Sequence, residues 1–260
     1  MDLQLKNKVF IVTGGAKGIG LTICQVLLQE GAKVMIGGRS SKDNQQALSL
    51  LKASSTHAAA CEVELSEVTA CKKLIDQTLS QFGQIDGLIN NAGVNDGVDL
   101  ESGSPEKFVE SLHKNLTHYY ILAHYALPEL KKSTGVIINI GSKVAVTGQG
   151  HTSAYAAAKG GVNSLTREWA AELAPFSIRV NAVIPAEVWT PLYEKCLSIY
   201  PDPEAKRKEI AAKIPFEKRF TTTEEIANMV VFLCSRCSSH TTGQIIYVDG
   251  GYTHLDRSLT

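Results

Sequence analysis

The chain has 260 residues, of which 44% are hydrophobic and 20% are charged, and its formal net charge is zero. Such a chain has enough apolar residues for a large core, and its balanced charge gives no electrostatic reason to bind nucleic acid or an anionic membrane. No apolar run approaches the ~20 residues that span a bilayer, and the N-terminal residues lack the order of a signal peptide. We therefore expect a cytoplasmic protein without nucleic-acid or membrane partners.

The six cysteines and seven histidines show neither a disulfide framework nor the spacing of a metal site. Cys234 and Cys237 form one C-x-x-C, which we interpret as packing or coincidence because no second pair accompanies it. The sequence therefore predicts reduced thiols and no bound metal. It also lacks the G-x-S-x-G of an α/β-hydrolase.

The first predicted elements are a buried strand at residues 8–13, a glycine-rich turn at residues 14–20 and a helix closed by Gly31. Glycine lets the backbone approach a pyrophosphate, and the free N–H groups at a helix start bind its charge. A plain tight loop is the alternative, but the flanking strand and helix favour a dinucleotide site. The turn has the spacing G-x-x-x-G-x-G. The residues of this turn assigned to the cofactor are Gly14, Lys17, Gly18, Ile19 and Gly20.

The second predicted strand, residues 33–37, is not followed by the acidic residue that would hold the ribose 2′-hydroxyl of NAD. The sequence there is Gly38-Arg39-Ser40, which leaves room for a 2′-phosphate and offers it a bidentate donor. Lys17 adds a second positive charge. These residues favour NADP. A surface Arg39 without a ligand is the alternative, and NAD use stays open because arginine also stacks on adenine.

The middle of the chain continues the alternation, with strands at 60–63, 85–90 and 135–140 and a helix at about 67–82. Asn-Asn-Ala-Gly at 90–93 suits an unusual turn near a ligand. Residues 104–131 are predicted to be helical. Asn115 is a poor choice within that helix, so it either points to solvent or makes a specific polar contact. The predicted inner face of this helix is Phe108, Val109, Leu112, Leu116, Tyr119, Tyr120, Leu122 and Ala123.

Tyr155 and Lys159 stand four residues apart on the next predicted helix, which runs to about residue 173. This spacing places both side chains on one helix face. A neighbouring ammonium favours the phenolate and lowers the pKa of a tyrosine toward neutral pH, which makes it a usable general acid or base. The alternative is a chance pair on a solvated face. Ser142, at the end of the fifth strand, lies one short loop upstream of this helix.

The last third is predicted to contain a strand at 178–184 stopped by Pro185, a helix at 224–233 and a strand at 244–248. Residues 186–219 form a long insertion after a strand end, which is the usual form of a substrate lid. We find no internal repeat or linker. The predicted fold class is therefore α/β, a single doubly wound Rossmann-type domain over residues 1–260 with a mostly parallel seven-stranded sheet.

These motifs together resemble the short-chain dehydrogenase/reductase family over essentially the whole chain. The motifs that carry the resemblance are Thr13-Gly14-x-x-x-Gly18-Ile19-Gly20, Asn90-Asn91-Ala92-Gly93, Asn115, Ser142, Tyr155-x-x-x-Lys159 and Asp249-Gly250-Gly251. The resemblance implies an NAD(P)-dependent oxidoreductase, commonly a homotetramer.

The resemblance also implies a role for each catalytic residue. Tyr155 exchanges a proton with the substrate oxygen, and Ser142 hydrogen-bonds the same oxygen. Lys159 binds the nicotinamide ribose and lowers the pKa of Tyr155. Asn115 supports the proton relay, which favours the polar contact over the solvent-facing alternative.

Further cofactor contacts follow from the same resemblance. The residues implied are Glu62, Val63, Asn91, Ala92, Gly93, Pro185, Val188 and Thr190. Two positions depart from the family pattern. Glu62 stands where Asp is usual before the adenine-contacting Val63, and Ala186 replaces the Gly usual after Pro185.

A closer likeness is to the bacterial L-fucose dehydrogenase branch, whose members oxidise a free sugar at its anomeric carbon to a lactone. The segments that carry this likeness are residues 91–97, 145–150, 183–188 and 250–257. A polar pocket suits a polyol, because a buried donor left without its hydroxyl rejects apolar ligands. Trp189 either offers an apolar face to the sugar or packs within the lid. The residues expected near the sugar are Asn95, Ser142, Lys143, Gln149, His151, Tyr155, Glu187 and Trp189.

Two alternatives stay open. One is a carbonyl reductase of the same family that acts on a steroid, quinone or acyl ketone. The other is a dinucleotide sensor or scaffold without catalysis, a class that usually lacks the tyrosine or the lysine.

Overall fold

The computed structural model of the chain describes residues 1–53 and 56–256. Ser54 and Ser55, in the predicted loop before the third strand, lie outside the described residues. So does Arg257, with the three residues that follow it. Within the described part, each predicted strand and helix is present, with bounds that differ from the prediction by a few residues at most.

A seven-stranded sheet with the strand order β3-β2-β1-β4-β5-β6-β7 forms the centre of the described chain. All six neighbouring strand pairs are parallel. The strands are β1 (Val9–Thr13), β2 (Lys33–Gly38), β3 (Ala58–Glu62), β4 (Gly87–Asn90), β5 (Val136–Ile140), β6 (Arg179–Pro185) and β7 (Ile245–Val248). The fold prediction is confirmed, and the sheet is wholly parallel.

Ten helical segments connect or follow these strands in the described chain. They are α1 (Gly18–Gln29), α2 (Ser41–Leu51), α3 (Val68–Phe82), α4 (Pro105–Leu112), a π-helical turn (His113–Thr117), α5 (His118–Ser133), α6 (Ser153–Leu173), α7 (Pro191–Leu197), α8 (Pro203–Ala212) and α9 (Thr223–Cys234). Short 3₁₀ turns occupy Lys143–Ala145, Ala174–Phe176 and Arg236–Ser238. The insertion at 186–219 therefore carries two helices, α7 and α8, and its function as a lid stays a prediction.

Both faces of the sheet are covered by helices, which explains why the strands read as continuous apolar runs. On one face, Phe10 and Val12 pack with Ile23 of α1 and Val230 of α9. On the other face, Ile11 packs in a second cluster that includes residues of α3, α5 and α6. Strand order reverses between β1 and β4, and in such sheets the crevice beyond the strand carboxyl ends at that reversal is the place for a ligand.

The predicted inner face of residues 104–131 is wrong at two positions. Val109 is 51% exposed and Tyr120 is 56% exposed. Successive residues of a helix point about 100° apart. Because Phe108 and Tyr119 turn toward the interior, their sequence neighbours Val109 and Tyr120 turn toward solvent.

None of the helices described is both long and apolar enough to cross a membrane. All six cysteines are unpaired thiols, so Cys234 and Cys237 form no disulfide. Burial raises the pKa of the Cys234 thiol to about 12.

Candidate active site

The glycine-rich turn between β1 and α1 is held in a conformation that larger residues would disrupt. Gly14 has a φ of +63°, in the left-handed region, and a Cβ on Gly20 would lie 2.3 Å from the Gly14 carbonyl oxygen. The α1 N-cap, Lys17, makes no side-chain hydrogen bond to the first turn of the helix. Gly18, Ile19 and Gly20 line the crevice, so the uncapped N–H groups of this turn can bind an anion.

Residues after β4 are tied to this turn by hydrogen bonds. The Asn91 side-chain amide donates to the Thr13 carbonyl oxygen at 2.9 Å. The backbone N–H groups of Asn91 and Ala92 donate to the Thr13 hydroxyl at 2.9 and 3.0 Å. The carboxyl ends of β1 and β4 therefore form one rigid wall of the crevice.

A crevice of about 560 Å³ lies across the carboxyl ends of the strands. Its predicted lining residues are Gly14, Lys17, Gly18, Ile19, Gly20, Arg39, Val63, Asn91, Ala92, Gly93, Tyr155, Lys159, Pro185 and Thr190. Sequence reasoning missed other lining residues, among them Glu64, Lys114, His118 and Lys195. Among the described lining residues five are Lys or Arg and one, Glu64, is acidic, so the crevice favours an anionic ligand such as a dinucleotide.

Two predicted cofactor residues do not line this crevice. Glu62 is exposed at the end of β3. Val188 is 4% exposed in the core beside α9 and forms a bridge to Thr221. Any contact of these two residues with a cofactor stays a prediction.

Each cation predicted to favour NADP is paired with a carboxylate in the structure. Lys17 Nζ lies 2.7 Å from Asp43 Oδ2, and Arg39 lies 3.8 Å from Glu64. The hydrogen bond from Lys17 lowers the pKa of Asp43 below its ordinary value. Sequence reasoning missed both carboxylates, although the Ser40 N-cap of α2 signals that Asp43 stands in its first turn.

Lys159 is 2% exposed and reaches the end of β5. Its ammonium donates to the Ile140 carbonyl oxygen at 2.9 Å and to the Tyr119 hydroxyl at 3.1 Å. Its Nζ lies 5.7 Å from the centroid of the Tyr155 ring. Removal from water disfavours the charged form, so burial lowers the pKa of Lys159 to about 7.

Tyr155 lines the crevice one helical turn from Lys159 and accepts a hydrogen bond from Ser142. The direction of its pKa differs from the prediction. Burial raises the pKa of Tyr155 above its ordinary value, and the bond from Ser142 offsets only part of that effect. The reason is that desolvation penalises the phenolate, while Lys159 directs its hydrogen bonds to Tyr119 and Ile140.

Asn115 lies in the π-helical turn and is fully buried, so the solvent-facing alternative is wrong. Its side-chain oxygen accepts from the Val94 N–H at 2.7 Å, and its amide donates to the Ser111 carbonyl oxygen at 3.0 Å. A Cβ on Gly93 would lie 2.9 Å from that Asn115 oxygen. Asn115 thus fixes the segment after β4, and π-helical turns often occur at functional sites.

Lys143 and Glu187 form a buried ion pair at the carboxyl ends of β5 and β6, with side chains 9% and 11% exposed. Glu187 also accepts a hydrogen bond from the Tyr193 hydroxyl of α7 at 2.5 Å. Lys143 Nζ lies 3.9 Å above the Tyr252 ring. Charged groups are rarely buried without partners, and Lys143 directly follows Ser142 in the sequence.

Of the residues expected near the sugar, Tyr155 lines the crevice, whereas Ser142, Lys143 and Glu187 are not among its described lining residues. Asn95 and Gln149 are exposed, and exposed His151 lies 3.2 Å from Asp99. Trp189 packs edge-on against Phe220 and lines a separate cavity of about 540 Å³. These contacts favour the packing alternative for Trp189 over a contact with the sugar.

A glycine turn that binds anions, next to a tyrosine, a lysine and a serine at the carboxyl ends of parallel strands, is the arrangement of a dinucleotide-dependent oxidoreductase. A family model described as enoyl-(acyl carrier protein) reductase matches residues 14–253. The chain therefore belongs to the short-chain dehydrogenase/reductase family and is an NAD(P)-dependent oxidoreductase.

The sequence matches to two relatives extend over almost the whole chain, and the names of these relatives point to different substrates. The 3-oxoacyl-[acyl-carrier-protein] reductase of Thermotoga maritima is 36% identical, over 96% of this chain and 99% of its own. The L-fucose dehydrogenase of Oryctolagus cuniculus is 34% identical, over 94% of this chain and 84% of its own.

Two solved structures agree closely with this fold. The chain in the crystal structure of Cj0485 dehydrogenase is 46% identical in sequence to this chain and superposes on it with a TM-score of 0.94. The match covers 100% of this chain and 99% of that chain. The aldohexose dehydrogenase of Thermoplasma acidophilum is 31% identical, with a TM-score of 0.90 and the same coverage.

Proposed function

We propose that this enzyme oxidises the anomeric hydroxyl of a free aldose of the L-fucose type to a lactone. The observation that carries the proposal is the buried Lys143–Glu187 pair beside Ser142, with the Tyr193 hydroxyl bonded to Glu187. A sugar hydroxyl can exchange hydrogen bonds with these groups. Glu187 accepts from one of the three N–H groups of the Lys143 ammonium, and an apolar substrate would leave the other N–H groups without an acceptor, which disfavours its binding. The likenesses to an L-fucose dehydrogenase and to an aldohexose dehydrogenase support the same class.

The glycine turn and the uncapped start of α1 fit a dinucleotide, because Gly18, Ile19 and Gly20 line the crevice, and a Cβ at Gly20 would collide with the Gly14 carbonyl and displace the turn. Gly14, Ile19 and Asn91 would hold it, and Lys159 would bind its nicotinamide ribose. The oxidised nicotinamide, when bound, supplies the acceptor for the hydride that leaves C1. The chain's own residues provide placement and move the proton.

In the proposed reaction Ser142 donates a hydrogen bond to the oxygen on C1. Tyr155, as the phenolate, accepts the proton of that hydroxyl while the C1–H bond breaks and the C1–O double bond forms. Lys159 stabilises the phenolate by its positive charge. The Asn115 side-chain oxygen accepts a hydrogen bond from the Val94 N–H and so fixes the segment after β4 that lies beside Lys159.

We also propose that Lys17 and Arg39 make NADP the preferred cofactor. Their partners Asp43 and Glu64 belong to exposed pairs, which solvent and salt screen strongly. A 2′-phosphate would therefore replace these carboxylates readily. The ratio of kcat/KM with NADP to that with NAD should exceed one and should fall in Arg39→Ala. An equal or larger NAD value in the unaltered enzyme would contradict the preference.

The decisive experiment measures nicotinamide reduction across a panel of aldoses, including L-fucose, D-arabinose and L-galactose, each with NAD and with NADP. We expect turnover with at least one of these sugars. Inactivity with all three, together with reduction of a hydrophobic ketone, would refute the sugar assignment. That outcome would instead support an acyl-ketone reductase, which the likeness to the Thermotoga maritima reductase favours.

Tyr155→Phe tests the role of the phenol. The ring keeps its packing, so cofactor binding should be retained, while nearly all turnover should be lost because the proton has no acceptor. Tyr120→Phe, at an exposed position of α5, is the matched control. We further propose that the enzyme is a homotetramer, as the family resemblance implies. Light scattering of the unaltered enzyme measures its mass and tests this proposal.

A further inference from the structure

Tyr119 of α5 is fully buried and lies behind the crevice rather than in its lining. Its hydroxyl accepts a hydrogen bond from Lys159 Nζ at 3.1 Å. The same hydroxyl lies 3.1 Å from the Ile140 carbonyl oxygen and 3.3 Å from the Ala92 carbonyl oxygen. A phenol has one proton and can also accept, so it donates to one carbonyl while it accepts from the lysine. Tyr119 thus joins the ends of β4 and β5 to the lysine of α6.

Core packing alone does not explain this arrangement. A buried tyrosine hydroxyl is satisfied by one carbonyl, whereas this hydroxyl also accepts from a charged amine. An ammonium has three N–H groups, and burying it is unfavourable unless they are bonded. Within the described residues, Lys159 has two hydrogen-bond acceptors, Ile140 and Tyr119, and its third N–H is left for the crevice.

We propose that Tyr119 is a positioning residue for the oxidoreductase reaction, which holds the Lys159 ammonium in place behind Tyr155 and the cofactor site. The inference rests on the proposed role of Lys159. Tyr119 touches neither the crevice nor Tyr155 by a hydrogen bond, so it acts through the lysine. Burial and the nearby Tyr155 raise the pKa of Tyr119 well above its ordinary value, so its hydroxyl stays neutral and able to accept.

The ionisable side chains that face Lys159 are Tyr119 and His118 of α5 and Tyr155 of its own helix. Burial lowers the pKa of His118 to about 3, so that ring is neutral at working pH. Loss of the Tyr119 hydroxyl leaves the ammonium with one protein acceptor among the described residues. The charged form of Lys159 then becomes less favourable, and the pKa of Lys159 falls further below the ordinary value of a lysine.

The test is Tyr119→Phe, assayed for kcat and for the KM of sugar and cofactor across pH. A hydrogen bond to a charged group is strong enough to move a pKa by about one unit. We therefore expect the alkaline limb of the kcat profile to move down by about one pH unit, with up to tenfold lower kcat beyond it. The sugar KM should change less than twofold, because Tyr119 does not reach the substrate. Titration of the Lys159 side chain by NMR should show the same displacement.

Two matched variants separate positioning from packing. Tyr120→Phe removes an exposed hydroxyl from the next residue. Ser133→Ala removes a hydroxyl that bonds the Ile85 carbonyl oxygen at 2.8 Å, at the far end of the same helix. Neither variant should move the pH profile, although Ser133→Ala should lower the melting temperature.

Each outcome decides the proposal. A wild-type profile in folded Tyr119→Phe overturns it, and so does an equal displacement in Ser133→Ala. Failure of Tyr119→Phe to fold also counts against it, because a ring that lacks only the hydroxyl should still pack. Lys159→Met is measured in parallel. If that variant keeps full turnover, the proposed role of the lysine fails. If it is inactive while Tyr119→Phe resembles the unaltered enzyme, only the positioning role fails.

Discussion

Removing the charge of Glu187 should destabilise the enzyme strongly, because it leaves the Lys143 ammonium buried without a counter-charge. The side chains are 9% and 11% exposed, so solvent screens the pair little. Breaking a buried pair from one side typically costs about 3–5 kcal/mol. The amide oxygen introduced by Glu187→Gln can still accept a hydrogen bond from Lys143, so the lower end of that range applies. We therefore expect Glu187→Gln to lose about 3 kcal/mol of unfolding free energy.

Urea unfolding and the melting temperature measure this loss. For a chain of this size about 3 kcal/mol corresponds to a fall in Tm of roughly 6–12 °C. Asp76→Asn is the control, because Lys72 and Asp76 form an ion pair at 2.6 Å whose side chains are more than half exposed. Such an exposed pair contributes about 0–1 kcal/mol.

The double variant Lys143→Met with Glu187→Gln removes both charges and should recover most of the lost stability, since no buried charge is then left without a partner. Sugar turnover should not recover with it, because both charged groups proposed to face the sugar are gone. If Glu187→Gln loses no more stability than Asp76→Asn, the pair is not buried in solution, and the reasoning that links it to substrate polarity fails.

Gly20→Ala should weaken cofactor affinity at least tenfold, because its Cβ would lie 2.3 Å from the Gly14 carbonyl oxygen; fluorescence titration measures this. Gly160→Ala, where nothing lies within 4 Å, should leave affinity unchanged, and equal effects in both variants would contradict the steric argument. Stability should rise between pH 7 and 10, by at most about 1.4 kcal/mol per unit from Lys159, since its folded pKa of about 7 lies below the unfolded value and the unfolded chain binds the extra proton. Lys159→Met should flatten that rise, and an unchanged slope would refute the burial of the amine.

The pattern of apolar runs was sufficient to predict the alternating strands and helices, because buried parallel strands and amphipathic helices differ in local periodicity. The glycine spacing at 14–20 and the four-residue separation of Tyr155 from Lys159 were also local, and the structure places both at the carboxyl ends of the strands. Exposure of single residues was less predictable. Val109 and Tyr120 face solvent although they stand next to buried neighbours, since one step along a helix turns a side chain by about 100°.

The sequence by itself determined the order of the strands and helices, the glycine turn that fits a dinucleotide, and the family. Each of these depends on residues that stand close together in the chain. Only the tertiary structure decided which side chains meet. Lys159 bonds Tyr119 from 40 residues away, and Lys143 pairs with Glu187 from 44 residues away. The pKa of Tyr155 rises rather than falls for the same reason, since burial by distant segments outweighs the hydrogen bond from Ser142. Desolvation and pairing are properties of the packed chain, and no local spacing encodes them.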